Sequence, residues 1–180
     1  MSQEIATAAT DSRPNPAQPM SADAGAGGAE LSQLISFAIG DEQYGVDIMA
    51  VREIKGWSQI THLPRQPDYM RGVLNLRGVM VPIIDLRCRF GQGLTEATAL
   101  HIVIIVQAGT RSIGLLADRV LDIVSFDPKE VQPVPQVIQG SRIAFLSGLV
   151  TIEGAMIALV DLPHLLSLND TDGGPSTERH

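Results

Sequence analysis

A repeat within the chain constrains its fold more than any other feature of the sequence. Residues Gly72–Leu86 align without a gap with Gly148–Leu162, and both copies keep two glycines, a methionine, an aspartate and the final leucine. Upstream, Gly40–Ile54 aligns in the same way with Gly109–Ile123. Because segments repeated in the same order indicate repeated structural units, we expect residues 31–168 to contain two copies of one fold.

The apolar segments of both copies are short and rich in Val and Ile, whose branching at Cβ favours extended backbone over helix. Gly, Asp and Pro interrupt them at the spacing typical of strands and tight turns. The pattern predicts ten strands, at Leu34–Ile39, Gln43–Val46, Arg52–Ile54, Gly72–Leu76, Val79–Asp85, His101–Gln107, Arg111–Ala117, Leu121–Val124, Gly148–Ile152 and Ala155–Asp161. No amphipathic helix of three or more turns is evident, which argues against an α/β sheet.

Short helical pieces are expected where turn residues replace the strand pattern, at Asp47–Val51, Pro67–Met70, Asp127–Glu130 and Pro163–Ser167. In the third piece, Asp is followed by Pro and Glu at the positions that open a helical turn. Asp85 and Asp161 end strands at equivalent places in the repeat, where we expect them to act as structural caps.

The predicted fold class is all-β with short helical turns. Each copy supplies about five strands, and one such sheet alone leaves open edges and too little core. Closing each copy into a small barrel removes the edges. We therefore expect two packed five-stranded barrels related by the duplication, with a groove between them. They span roughly residues 31–90 and 100–168, and an exchange of terminal elements is left open. Residues 1–30 and 169–180 are predicted to be disordered, since they hold few large apolar side chains.

The sequence offers little chemistry for catalysis. Its single cysteine, Cys88, excludes an intramolecular disulfide. The four histidines show no spacing typical of a metal site or a catalytic dyad, and no phosphate-binding loop is present. We therefore predict a binding module that is not an enzyme and uses no cofactor or metal. An active site assembled from distant positions is the alternative.

The formal net charge is −7, and most of it comes from acidic residues in the two tails. The core lacks the basic block that nucleic-acid binding requires. No segment resembles a signal peptide or the roughly 20 apolar residues of a membrane span. We expect a cytoplasmic protein that neither binds nucleic acid nor inserts into a membrane.

Four segments together resemble the CheW family of chemotaxis coupling proteins. They are Gly40–Ile48, Val51–Gly56, Arg71–Arg87 and Ile113–Val124, and the resemblance covers roughly residues 31–168. The run Asn-Leu-Arg-Gly followed by Pro-Ile-Ile-Asp-Leu is its specific part. The resemblance implies two five-stranded barrels similar to SH3 domains, which agrees with the fold inferred separately from the repeat.

The resemblance also implies a function. Members of the family are scaffolds without enzymatic activity or cofactor, which join the cytoplasmic tips of chemoreceptors to the regulatory domain of the chemotaxis histidine kinase. Because that domain is itself similar to CheW, self-association in array rings and recruitment to membrane-associated receptor arrays are expected too. The alternative is the same adaptor role in a pathway that controls pili, biofilm or development.

Seven residues are the candidate partner contacts, namely Val51, Glu53, Gly72, Arg77, Ile102, Val120 and Ile123. Glu53, in the family's Val-x-Glu-Ile segment, is expected to pair with a partner's cation, and a solvated strand charge is its alternative. Arg77 lies at a hairpin tip, where the sequence alone favours a solvated charge. Its match to the family's Asn-Leu-Arg-Gly motif instead implies a charge-assisted hydrogen bond to an acidic group of the receptor tip.

The three apolar candidates in the second copy, Ile102, Val120 and Ile123, are expected to anchor a receptor helix in the groove. Composition alone favours the core for all three. Gly72 is expected either to permit close backbone approach or to begin a strand.

Overall fold

The computed structural model of the chain describes residues 30–136 and 143–167. Its ten strands are β1 (Ser32–Ile39), β2 (Glu42–Asp47), β3 (Val51–Gly56), β4 (Met70–Leu76), β5 (Val79–Asp85), β6 (Ile102–Ala108), β7 (Arg111–Ala117), β8 (Arg119–Phe126), β9 (Leu146–Ile152) and β10 (Ala155–Val160). Two short α-helices and three 3₁₀ turns join them, namely α1 (Leu86–Arg89), α2 (Leu162–Ser167), Ile48–Ala50, Pro128–Glu130 and Ile143–Phe145. The predicted all-β class with short helical turns is confirmed. The two predicted tails lie outside the described residues, except for Glu30.

The strands form two five-stranded sheets with the same order. The sheet β8-β1-β2-β10-β9 is called barrel A below, and the sheet β3-β6-β7-β5-β4 is called barrel B. Each sheet contains one parallel pair, in which Leu159 lies beside Gly45 in barrel A and Ile83 lies beside Gly114 in barrel B. These are matching positions of the repeat, so the two barrels share their pairing register as well as their strand order.

The chain crosses between the barrels twice. Strands β1 and β2 belong to barrel A, β3 to β7 form barrel B, and β8 to β10 return to barrel A. The first crossing runs through the 3₁₀ turn Ile48–Ala50, and the second passes through Asp118, between β7 and β8. The first two strands of the first copy therefore complete the sheet of the second copy. The ranges 31–90 and 100–168 as subdomains stay a prediction.

Each barrel is closed by one isolated bridge between its two edges. The bridge joins the segment that follows β3 to β4 in barrel B, and the segment that follows β8 to β9 in barrel A. Thr61 bridges to Val73 in barrel B, and Gln132 bridges to Leu149 in barrel A. Gly72 lies next to the first bridge with φ +140°, and a Cβ there would lie 2.2 Å from the Thr61 carbonyl oxygen. The backbone thus approaches closely at Gly72, and this contact serves barrel closure. The role of Gly72 as a partner contact stays a prediction.

The buried side chains form three clusters. One fills barrel B, and a smaller one, of Leu34, Val150 and Ile157, fills barrel A. The third and largest lies between the barrels, with contributions from both that include Phe37, Ile39, Val46, Ile84, Val106 and Leu115. Because side chains alternate across a strand, the central strands β1 and β6 bury one face inside their own barrel and the other against the partner barrel.

Asp85, which ends β5, and Asp161, which follows β10, cap the next helices, in line with the predicted structural role. Asp85 accepts a hydrogen bond from the Cys88 backbone N–H at 3.2 Å, and Asp161 accepts one from the His164 N–H at 2.9 Å. Asp85 is fully buried. It also accepts two bonds from Thr95, which fix the loop between α1 and β6.

The sequence prediction was wrong at two places near this cap. Pro67–Met70 forms a single turn, closed by the Met70 N–H donating to the Pro67 carbonyl, and no helix follows. The Tyr69 carbonyl instead accepts from the Asp85 N–H at 2.7 Å, which draws the chain into the sheet. Helix α1 was not predicted, although Asp85 was correctly expected to act as a cap.

Asp118 holds together the second crossing between the barrels. Its Oδ2 accepts from the Gly40 N–H of barrel A at 2.7 Å and from the Arg87 guanidinium at 2.6 Å. Burial raises the pKa of Asp118, but the hydrogen bond from Gly40 and the bond and charge of Arg87 outweigh it, so the pKa lies below its ordinary value. The carboxylate is therefore favoured in the folded protein.

We predict that Gly72→Ala destabilises the protein by about 2–4 kcal/mol, because the added Cβ collides with backbone and the residue keeps a strained φ. Gly78→Ala is the matched control, since Gly78 has φ +86° but open space around its Cβ position. Its expected cost is about 1–2 kcal/mol. Urea unfolding measures both, and equal losses would contradict the proposed role of Gly72 in closure.

We predict that Asp118 makes stability pH-dependent. The pKa of Asp118 in the folded protein lies below the ordinary 3.8. Its contribution to the free energy of unfolding is therefore fully present above pH 3.8 and is lost as the pH falls through the folded pKa. Asp118→Asn should cost about 1–3 kcal/mol at neutral pH, and the difference from wild type should shrink in acid. Urea unfolding at several pH values, with the exposed Asp41→Asn as control, checks this. A difference that stays constant into acid would contradict it.

Candidate functional site

Two of the predicted contact residues form an ion pair at one end of barrel B. The guanidinium of Arg77 donates to Glu53 Oε2 at 2.7 Å. The Arg77 side chain is 78% exposed, whereas that of Glu53 is 25% exposed. Among the described residues, this ion pair joins two of the candidate contacts. Glu53 holds the guanidinium of Arg77 in place, and the Arg77 side chain remains accessible to solvent.

The hairpin between β4 and β5 fixes where Arg77 lies. Arg77 and Gly78 both have positive φ, 51° and 86°, as a two-residue hairpin turn of type I′ requires. The Asn75 side chain accepts from the Gly78 N–H at 2.8 Å and supports the turn. The Asn-Leu-Arg-Gly motif thus encodes a rigid hairpin tip that carries one arginine.

Strand β3 pairs with β6 and places Glu53 opposite Ile105, after a register shift between Val51 and Glu53. Its residues are in turn half-buried and exposed, and Glu53 is one of the half-buried ones. Arg52 and Ile54 face solvent. Glu53 is therefore less exposed than both of its neighbours in the chain.

The structure favours packing roles for three of the apolar candidates. Val51, Ile102 and Val120 are partly buried and pack against the core between the barrels. Ile123 differs, since 54% of its surface is exposed. It lies on β8, opposite Ile35 of β1. Their roles as partner contacts stay predictions.

Sequence reasoning missed two exposed methionine patches at equivalent places in the barrels. Met80 on β5 is 60% exposed and Met156 on β10 is 62% exposed. The Met80 patch borders a cleft of about 330 Å³ that is lined by Val79, Pro82, Arg111 and Leu166, among others. The Met156 patch borders one of about 400 Å³ lined by Asp41, Glu42, Leu149 and Ala158, among others. The repeat alignment, which pairs these methionines, held a signal for both patches.

The two patches carry opposite charge at matching positions. Arg111 beside Met80 corresponds in the repeat to Glu42 beside Met156, and the hairpin tip Arg77 corresponds to Glu153. Thr110 of the Met80 patch corresponds to Asp41. Both copies therefore keep an apolar methionine at the centre of the patch, whereas the charged residues around it have opposite sign in the two copies.

The described residues offer little for chemistry. Residues 30–136 and 143–167 contain no group of three His, Cys, Asp or Glu side chains that could hold a metal ion. Burial raises the pKa of the Cys88 thiol, and the nearby charge of Asp85 raises it further. A raised pKa lowers the thiolate fraction and hence the reactivity of this cysteine. None of the described helices is long and apolar enough to cross a bilayer.

Paired SH3-like barrels with exposed apolar and charged surfaces define a protein-binding scaffold. The sequence matches the family model of the CheW-like domain over residues 33–170. The chain therefore belongs to the CheW-like family, whose members are scaffolds of chemotaxis signalling.

Individual relatives agree with this assignment. A chemotaxis protein CheW of Rhizobium meliloti (strain 1021) is 43% identical over 130 residues, which cover 72% of this chain and 84% of the relative. One from Klebsiella aerogenes is 38% identical over 135 residues, covering 75% and 81%. The crystal structure of the scaffolding protein TtCheW from Thermoanaerobacter tengcongensis superimposes with a TM-score of 0.67 at 31% identity, covering 73% of this chain and 84% of that one.

Proposed function

We propose that this protein is a non-catalytic cytoplasmic adaptor that couples the tips of chemoreceptors to the regulatory domain of a chemotaxis histidine kinase. The observation that carries the proposal is the single core shared by two barrels with different exposed surfaces. Because the core holds both barrels in one body, a partner bound to one barrel is kept beside a partner bound to the other. A change in the receptor can then alter the activity of the kinase.

The receptor surface is centred on the pair of Glu53 and Arg77. Arg77 stands on a rigid tip and is largely exposed, so a partner carboxylate can reach it with little loss of side-chain entropy. Ile123 supplies an exposed apolar anchor, and Val51, Gly72, Ile102 and Val120 are the remaining proposed contacts. A helical hairpin with an acidic tip fits this chemistry.

The kinase surface consists of the two methionine patches. The kinase regulatory domain resembles this chain by family likeness, so it offers equivalent patches of its own. A basic-rimmed patch on one partner then faces an acidic-rimmed patch on the other, which favours head-to-tail contact over contact between identical patches. The same arrangement allows copies of this protein to join one another in array rings at the membrane.

The alternative is the same adaptor role in a pathway for pili, biofilm or development. The fold and surfaces suit either pathway equally. Deleting the gene and scoring swimming against surface motility separates them.

We predict that Arg77→Glu weakens binding to receptor tips by roughly tenfold or more, because a charge-assisted hydrogen bond becomes a repulsion. The swapped variant Glu53→Arg/Arg77→Glu keeps an internal ion pair but presents the reversed charge, so it should bind as weakly. Sedimentation with receptor-containing membranes measures binding, and receptor-dependent kinase activity in the same mixture measures coupling.

Glu153→Arg is the control for this experiment, since Glu153 is the repeat mate of Arg77 on the other barrel. It should leave receptor binding unchanged. Full binding by the swapped variant would show that the pair serves only the fold. If the wild-type protein leaves kinase activity independent of receptors, the proposed coupling function itself is overturned.

We predict that Met80→Glu or Met156→Glu weakens binding to the kinase regulatory domain by roughly 10- to 100-fold, since each puts a charge at the centre of an apolar contact. Receptor sedimentation should not change. Met49→Glu is the matched control, because Met49 is 80% exposed and lies outside both patches. Isothermal titration with the isolated regulatory domain measures the affinities, and equal effects of all three substitutions would contradict the assignment.

A further inference from the structure

The two chain crossings are equivalent in the repeat but are built differently. At the second crossing, Asp118 of the β7–β8 link joins Gly40 in barrel A to Arg87 in barrel B. The Asp118 backbone N–H also donates to the Ala38 carbonyl of β1 at 3.0 Å. These contacts, called the Asp118 clasp below, fix one side of the junction between the barrels.

The equivalent place at the first crossing is open. The repeat mates of Gly40 and Arg87 are Gly109 and Pro163, and both line a groove of about 790 Å³. The mate of Asp118 is Met49, which is 80% exposed. Hydrogen bonds of the Asp118 carboxylate thus fix one side of the junction between the barrels, whereas the other side is an open groove.

We infer that Asp118 is a positioning residue that sets the angle between the two barrels, and so sets how strongly a partner on one barrel affects a partner on the other. The inference deepens the proposed function and rests on it. Its role is distinct from the seven contact candidates, because Asp118 acts through barrel geometry and touches no partner.

The physical reason lies in the difference between apolar and ionic contacts. The large core between the barrels keeps them together, but apolar burial is non-directional and tolerates small rotations. Charge-assisted hydrogen bonds have short distances and defined directions. Asp118 makes two of them, one from each barrel, at a position where its side chain is only 20% exposed. The core therefore supplies association and the clasp supplies orientation.

A fourth segment lies close to the same carboxylate. The His101 Nδ1 accepts from the Thr98 N–H at 3.0 Å, which in the neutral ring leaves the proton on Nε2. That Nε2 lies 3.6 Å from Asp118 Oδ1, beyond hydrogen-bonding distance. The clasp itself therefore consists of the bonds to Gly40, Arg87 and Ala38, and the loop before β6 is its neighbour.

The test uses the full chain with Cys88→Ala and spin labels at Ser58→Cys and Ser125→Cys. Both serines are exposed, and they lie just after β3 in barrel B and on β8 in barrel A. Pulsed electron resonance gives the distribution of distances between the barrels. Asp118→Asn is expected to broaden or shift it. Arg87→Gln, which keeps the bond from Gly40, should do so to a lesser extent, and Met49→Ala should leave it unchanged.

The functional measurement is receptor-dependent kinase activity in the reconstituted mixture. Asp118→Asn should lower it by roughly 3- to 30-fold, the range that coupling residues commonly show. Separately measured affinities for receptor membranes and for the kinase regulatory domain should stay within about twofold of wild type, as for a residue outside both surfaces. Asp118→Glu, which keeps the charge, should recover part of the activity.

Each outcome decides between the possibilities. An unchanged distance distribution in Asp118→Asn and Arg87→Gln overturns the inference, and so does loss of both separate affinities in proportion to the loss of coupling. If Asp118→Asn does not fold, Arg87→Gln alone carries the distance test. Failure of the wild-type protein to couple receptor and kinase would instead refute the proposed function, while the distance measurement would still decide the role of Asp118.

Discussion

The two barrels depend on a hydrophobic core that neither could bury alone. A row of rings crosses the junction, with Phe37 and Tyr44 from barrel A followed by Phe90 beyond α1 and then Phe145, at centroid separations of 6.0, 4.8 and 6.3 Å. Separating the barrels would expose these rings to water, at a cost of about 25 cal/mol per Å² of apolar surface. Since these rings are buried, the exposed candidate contacts lie outside this core.

The strands were predictable because their signals are local. Alternation, branched side chains and paired glycines lie within a few residues of one another, and all ten strands were found. Gly114 is one of these glycines, and a Cβ there would lie 2.4 Å from the Ile83 side chain. Strand partners are a different matter. The pairing of β2 with β10 joins residues more than a hundred positions apart, and no local pattern encodes it. Pro67–Met70 was mispredicted for the same reason, because the distant Asp85 N–H donates to the Tyr69 carbonyl.

The candidate site was predictable in its members and not in its contacts. Glu53 and Arg77 were each singled out through motifs, but their ion pair depends on barrel closure, which brings β3 beside the β4–β5 hairpin. The methionine patches were overlooked because Met in a strand pattern ordinarily indicates core. Only the structure distinguishes Met80, which faces solvent, from Ile83, three positions further on, which is fully buried.

A duplicated fold can serve two different partners because buried and exposed positions are constrained differently. Core positions and turn glycines are retained in both copies, since changing them costs stability in each barrel. Exposed positions change at little cost in stability. In the repeat alignment, Arg77 corresponds to Glu153 and Arg111 corresponds to Glu42. A chain with identical halves would offer the same surface twice and would bind one kind of partner at both ends. Charge reversal at equivalent positions gives each barrel its own surface, and the common core keeps the two surfaces in one molecule.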